Sequence, residues 1–380
     1  MFYVEETVSF YHSRIKILKM SGLLNNTTSY ARESVNTLTK VVTTTYITTG
    51  TLSLLGNTLV MAVMLQRFRK ASIFKILLSH LAFCDMVFAM ALLFDIPNWI
   101  NKEWVYPNSV CKIIPSAQFT SSIAAEGTVV VIAIERYRGI SRPLSVRWNK
   151  YDVSLALLIT WCLAFVSGSP FIHVLRVITV GDQTKQCVEY WSDDIAEHSQ
   201  AAFFYSTFTF IANFLLPMIM LAVLYGRIIL LIRRPIQHVS SFEQIFRKRR
   251  QKDIRITKLL ILVIVAFALC VLPNHLGHFI VSKITLTSAQ RDIMDYIMLI
   301  PYPFQCVLNP LIYSIVDKKF RREAYLVLRC QPVTNRRISR TMTSFFKSDS
   351  MCSKKISQNG LTLFTSIPNK KISQEEEQSF

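Results

Sequence analysis

Apolar residues along this chain gather in blocks of more than twenty, separated by shorter polar and charged stretches. Seven blocks stand out, at residues 41–65, 73–96, 111–140, 153–175, 201–232, 254–280 and 293–316. A helix rising 1.5 Å per residue needs about 20 apolar residues to cross the hydrocarbon core of a bilayer. A lone strand at that depth leaves its backbone groups unsatisfied, so the blocks predict helices. The pattern therefore predicts an all-α membrane protein, a seven-transmembrane helix bundle over 41–316. A tail of 1–40 precedes it. A short amphipathic eighth helix over 317–330 and a cytoplasmic tail over 331–380 follow it. Composition agrees: 51% of the residues are hydrophobic, with only 10 glycines and 13 prolines, so the excess is not low-complexity filler.

The net charge of +19 raises the question of nucleic acid, and its distribution answers it. Of the 43 Lys and Arg, 32 fall in the loops after odd-numbered spans, at the adjoining helix ends and in the C-terminal tail; 11 fall on the other side. That asymmetry sets topology, placing the N-terminus outside and the C-terminus in the cytoplasm. It points to a membrane protein and not to a nucleic-acid partner. The densest cluster, Arg247, Lys248, Arg249 and Arg250, precedes the sixth block, where a solvated loop face or contact with a partner or anionic membrane lipid would use it. No long apolar core lies near Met1, so no cleavable signal peptide is expected and the first span serves as its own insertion signal. Asn25 and Asn26 head two overlapping glycosylation sequons on the predicted outer tail.

The eight cysteines form no CxxC pairs, so neither a metal site nor any cofactor is indicated. Cys111 and Cys187 both face the oxidising side, where a disulfide between them is admissible. Cys330 follows the basic amphipathic stretch just inside the membrane, a position suited to palmitoylation.

Polar residues within the blocks come in a recognisable order. Asn57 lies in the first, Asp85 in the second, and Glu135-Arg136-Tyr137 closes the third. The fourth has Trp161 and Pro170, the fifth Pro217 and Tyr225. Phe267 through Pro273 marks the sixth, and Asn309-Pro310-Leu311-Ile312-Tyr313 the seventh. Over roughly residues 41–330 this resembles the rhodopsin-like class of G-protein-coupled receptors. Each motif also has a physical meaning. Asn57, Asp85 and Asn309 are buried polar groups on three helices, best satisfied by one shared network. Pro217, Pro273 and Pro310 each remove a helical hydrogen bond and supply kinks. Arg136 can pair with Glu135 and with Asp253, tying the third helix to the sixth, a link worth about 0–1 kcal/mol when partly exposed.

The resemblance implies more. Breaking the Arg136 link would let the sixth helix swing outward and open a cavity for a heterotrimeric G protein, with Tyr225 and Tyr313 moving towards the freed arginine. In such receptors the residue at Asp85 also helps hold a sodium ion, but Ala125 and Gln305 replace two usual ligands, so a sodium site is not expected. Two further departures affect transmission. Val271 stands where a tryptophan is common, leaving more of the coupling to Phe267. Glu126 stands mid-span where an aliphatic residue is usual, near Pro217 and Phe267; a carboxyl buried there is neutral or paired. A protonated Glu126 would then set the balance between resting and active states.

For the ligand, the resemblance implies a site in the outer half of the bundle. Gln118 occupies the position where amine receptors carry an aspartate, which argues against a monoamine. Gln118, Trp99, Trp104, His275, His278 and Tyr302 offer hydrogen bonds and aromatic faces. Beyond Cys187, Glu189, Asp193, Asp194 and Glu197 make an acidic stretch that would steer a basic peptide inward. Residues 177–180 and 187–190 read as a β-hairpin lid. These features resemble peptide receptors of the neuropeptide Y and RFamide type. The tail holds 14 Ser and Thr between 334 and 380, suited to phosphorylation and arrestin recruitment. A transporter would more often show internal repeats, and an intramembrane enzyme a nucleophile or metal motif; neither is present in the sequence. A receptor active without a ligand, or with a non-peptide one, is the alternative that Val271 and Glu126 keep open.

Overall fold

The structure, a computed structural model, describes residues 25–65, 73–141, 148–180, 184–233, 243–281, 288–316 and 318–329. Cys330, Asp317 and the Ser/Thr-rich tail lie outside the described residues, as do the side chains of Asn25, Asn26, Arg247, Lys248, Arg249 and His278.

The helices follow the apolar blocks. They are α1 (Asn25–Leu65), α2 (Ile73–Asn101), α3 (Asn108–Ser141) and α4 (Lys150–Val174), then strands β1 (Leu175–Val180) and β2 (Thr184–Glu189). Next come α5 (Ile195–Thr209), a π segment (Phe210–Leu215), α6 (Leu216–Arg233), α7 (Glu243–Val281), α8 (Ser288–Leu299), α9 (Gln305–Val316) and α10 (Lys318–Leu328). Among the described residues six helices are long and apolar enough to cross a membrane; a seventh is counted when Ile293–Ile315 is taken with Phe320–Leu328, bent from it by 101°. Burial identifies the axis of the bundle. The most apolar stretch of α3 is 78% buried, against 17% for the fifth span, so α3 packs on all sides while the fifth span turns one face outward.

Three elements depart from the expected pattern. The first helix begins at Asn25, 16 residues before the apolar block starts at 41, because the intervening residues include no Gly or Pro to stop it. The fifth span is not one regular helix. Its turn widens at Phe210–Leu215, where Leu216 N–H donates to the carbonyl of Ile211, five residues back. The wider turn relieves the approach of the Pro217 ring to the preceding backbone. The seventh span, expected to run unbroken over 293–316, is interrupted at Ile300 to Phe304, where Pro301 and Pro303 cannot donate and a short 3-10 turn replaces the helix.

Close approaches join the helices. A Cβ added to Gly127 of α3 would sit 2.4 Å from the Thr160 methyl of α4, and one on Gly56 of α1 would sit 2.8 Å from Pro310 of α9. Both contacts need a residue without a side chain. The largest apolar cluster fills the inner half around Leu77, Leu81, Ile132, Ile228, Leu260 and Tyr313.

Candidate functional site

At the outer end, β1 and β2 pair antiparallel from Leu175 opposite Glu189 to Val180 opposite Thr184. This is the hairpin expected from the sequence, displaced by two or three residues. Cys187 on β2 is disulfide-bonded to Cys111 at the start of α3, as expected. Three further bonds fix the hairpin. Trp104 N–H donates to Lys185 O (2.7 Å), Val177 N–H donates to the Asn108 side chain (2.8 Å), and Tyr190 N–H donates to Val174 O (2.8 Å). Glu189 follows Cys187 by two residues and so is delivered to the mouth of the bundle, where the Trp191 indole donates to its carboxylate (3.1 Å).

Beneath the hairpin is a cavity of about 930 Å³, counted out to its open mouth. One aromatic wall is a chain of edge-to-face contacts from Phe119 to Phe171 (4.8 Å) and on to Tyr205 (5.2 Å). Gln118, Ser122 and Glu126 descend its α3 side, one helical turn apart. His275 comes from α7, its ring tilted against Phe214 (5.4 Å), and Tyr302 comes from the broken part of the seventh span. Gln118, Glu189, His275 and Tyr302 therefore line the cavity, as the sequence anticipated. Trp99 does not. Its indole donates to the buried carboxylate of Asp95 (3.0 Å) and its ring meets Tyr46 edge-on (6.1 Å), so it braces α2 against α1. Trp104 is likewise buried under the hairpin, packed on Tyr106. Tyr46, Asn213 and Asn274 line the cavity as well and were not anticipated; Asn213, four residues before Pro217, and Asn274, directly after Pro273, lay near recognised motifs.

Glu126 links this cavity to a smaller crevice below it. The lower space is walled by Pro217, Met218, Leu221, Ile264 and Phe267, and Glu126 and Asn213 line both. Val271 is wholly buried in a small cluster with Phe214 and Cys270, and Phe267 packs on that cluster. A valine there fills the space between the fifth and sixth spans without reaching the upper cavity.

Midway down, polar groups are joined as expected. Asn309 donates to Asp85 (2.8 Å), Asn57 donates to Cys306 O (2.9 Å), and Ser53 donates to Cys306 O (3.1 Å), so α1, α2 and α9 share one network. Gln305 accepts a long bond from Ser122 (3.5 Å). A second polar centre was not foreseen. Trp161 donates to Nε2 of His80 (2.7 Å), which leaves the proton on Nδ1 to meet Thr128 (2.9 Å), binding α2, α3 and α4 at one point.

At the inner end, Arg136 pairs with Glu135 (2.5 Å) and lies over the Phe74 ring (4.7 Å). Asp253, half-buried on α7, is on the neighbouring sixth span. Tyr137 packs half-buried against the inner core. Tyr225 and Tyr313 are buried, and among the described residues neither hydroxyl has a hydrogen-bond partner. Lys75 on α2 reaches Glu323 on α10 (3.7 Å), and Phe320 of α10 packs on Tyr313 (6.2 Å), so the short amphipathic helix is docked to the bundle.

The disulfide-held hairpin over a cavity, the Asp85–Asn309 network and the Glu135–Arg136 pair occur together with a match of residues 56–313 to the model of the seven-transmembrane receptor (rhodopsin) family. The chain belongs to the rhodopsin family of seven-transmembrane receptors. Members of that family are receptors and not enzymes. Relatives include the pyroglutamylated RF-amide peptide receptor of Rattus norvegicus, 27% identical over 293 residues that cover 71% of this chain. The alignment spans 66% of that receptor's own length, just under two thirds. Galanin receptor 2a of Danio rerio is 28% identical over 76% of this chain and 77% of its own. The human growth hormone secretagogue receptor type 1 is 27% identical over 78% of this chain and 83% of its own. The rhodopsin-family match covers every span from the middle of α1 to Tyr313.

Proposed function

We propose that this rhodopsin-family chain is a plasma-membrane receptor for an extracellular peptide and signals through a heterotrimeric G protein. One observation carries the reading: an aromatic-walled cavity opens under the hairpin, with Glu189 at its mouth and the acidic stretch Asp193, Asp194 and Glu197 following it in the chain. Acidic groups at a mouth raise the local concentration of a basic peptide. The names of the relatives, which are receptors for RF-amide and galanin peptides among others, support the same class.

Peptide entering the cavity acts first on Gln118, His275 and Tyr302. The signal descends through Glu126, Pro217, Phe267 and Pro273 to the inner end. There Arg136 leaves Glu135 and Asp253, α7 swings outward, and Tyr225 and Tyr313 close on the freed guanidinium. The buried, unpartnered hydroxyls of both tyrosines support that step, since each gains a partner by it. The N-terminus is extracellular and glycosylated at Asn25 and Asn26. Cys330 is palmitoylated, seating α10 on lipid, and the phosphorylated tail recruits arrestin.

Cells expressing the chain should give a concentration-dependent calcium or cyclic AMP response to at least one member of a neuropeptide library, abolished by Arg136→Ala at equal surface expression. Glu126 and Val271 favour a second reading, signalling without a ligand. Basal signalling above mock-transfected cells, altered by Glu126→Gln, with no response to any peptide, would establish that reading instead.

A further inference from the structure

We infer that Glu126, Ser122 and Asn213 form a deep ligand subsite that receives a neutral carboxamide. The inference rests on the receptor reading for its biological meaning, though binding there needs no signalling. All three residues are more than nine-tenths buried, and all three line the outer cavity at its floor. Glu126 and Asn213 also line the crevice beneath it, so they stand on the boundary between the two spaces. The rest of that crevice is apolar, walled by Val129, Phe214, Pro217, Met218, Leu221, Ile264 and Phe267.

The polar inventory selects the ligand group. The Asn213 carbonyl accepts from Ser167 (3.2 Å), while among the described residues its amide nitrogen has no partner. A buried amide donor without an acceptor is costly, and so it calls for an acceptor from the cavity. Glu126 bonds Ser122 and offers its carboxyl to whatever else arrives. A carboxylate ligand would satisfy Asn213 but bring an uncompensated charge into a wall that, among the described residues, holds no cation and is otherwise largely apolar. An ammonium or guanidinium would suit Glu126 but bring only donors to the Asn213 amide. A carboxamide carries one acceptor and two donors on a single planar group, so its oxygen takes the Asn213 N–H while its N–H meets Glu126. Seated there, it would touch the acid that borders Pro217 and Phe267, passing the ligand's presence to the fifth and sixth spans by a route that does not need the bulky residue missing at Val271.

Phenylacetamide, phenylacetate and phenethylamine share one ring and differ in the end group, and so test the subsite directly. Each is titrated into the purified full-length chain in lipid nanodiscs, with binding read by ligand-observed NMR. Phenylacetamide should bind at least about tenfold more tightly than either charged analogue, the scale of one buried hydrogen bond, and Asn213→Ala should erase that preference. N-acetylphenylalaninamide and N-acetylglutamine methyl ester then distinguish a terminal peptide amide from a side-chain carboxamide by which one displaces phenylacetamide. Equal or tighter binding of the amine or the acid to the unmutated protein overturns the inference, as does a carboxamide preference that survives Asn213→Ala. Failure of the peptide library with carboxamide selectivity intact would instead overturn only the peptide reading.

Discussion

The two ends of the bundle are held by different kinds of force. At the outer end a covalent bond closes a loop of 76 residues between Cys111 and Cys187, and three backbone-anchored hydrogen bonds fix the hairpin around it. Closing a loop of that length is worth about 4–5 kcal/mol in chain entropy. At the inner end Arg136 pairs with its neighbour Glu135, each about one-fifth exposed, and such a pair contributes about 0–1 kcal/mol. The buried tyrosines beside it have unpartnered hydroxyls. The outer end is built to keep one shape around a cavity. The inner end is built so that an alternative arrangement lies close in free energy.

Four changes probe that contrast, in falling order of effect. Cys187→Ser should be the most damaging, removing most of the 4–5 kcal/mol closure term and cutting surface expression severalfold, as flow cytometry of a tagged chain would show. Expression at the unmutated level would mean that the hairpin's hydrogen bonds suffice. Gly127→Val comes next, because its side chain must enter space held by Thr160; overpacking of this kind costs about 1–3 kcal/mol and should lower the thermal midpoint of the detergent-solubilised protein. Asn309→Ala strips Asp85 of its side-chain partner and should destabilise by about 1–3 kcal/mol in the same assay, with no effect on hairpin integrity as judged by disulfide reactivity. Glu135→Gln should change stability least, by under about 1 kcal/mol, yet raise basal second-messenger output. A large loss of stability there, with signalling unmoved, would place the inner end in the same class as the outer one.

Much of this arrangement was readable in the sequence, and the failures have identifiable causes. Spans follow from apolar length, which local composition determines, so α2, α3 and α4 fall close to their expected limits, while α7 begins 11 residues before its apolar block because a charged, helix-forming stretch precedes it. The pairing of Asp85 with Asn309 was legible because a carboxyl in lipid must find partners and few polar residues share its depth. The π segment and the broken seventh span were not, because both are ways of absorbing a proline, and a sequence marks the proline without saying which backbone accommodation follows. That Trp99 lies off the cavity wall was not legible, because residue type gives no azimuth: the indole turns to Asp95, four residues earlier on its own helix. His80 passed unnoticed because its partners, Thr128 and Trp161, are 48 and 81 residues away.

The widened turn at Phe210–Leu215 has a rotational consequence. Thr209 and Phe214 are both buried although five positions apart, a separation that puts side chains about 140° out of phase on a regular helix. The extra residue in the turn resets the screw, so that Leu221, Tyr225 and Ile228 below it are buried, as Thr209 is above it. Removing one residue from this segment would turn the whole lower half of the span by about 100°, carrying Tyr225 away from Arg136 while the cavity above kept its walls.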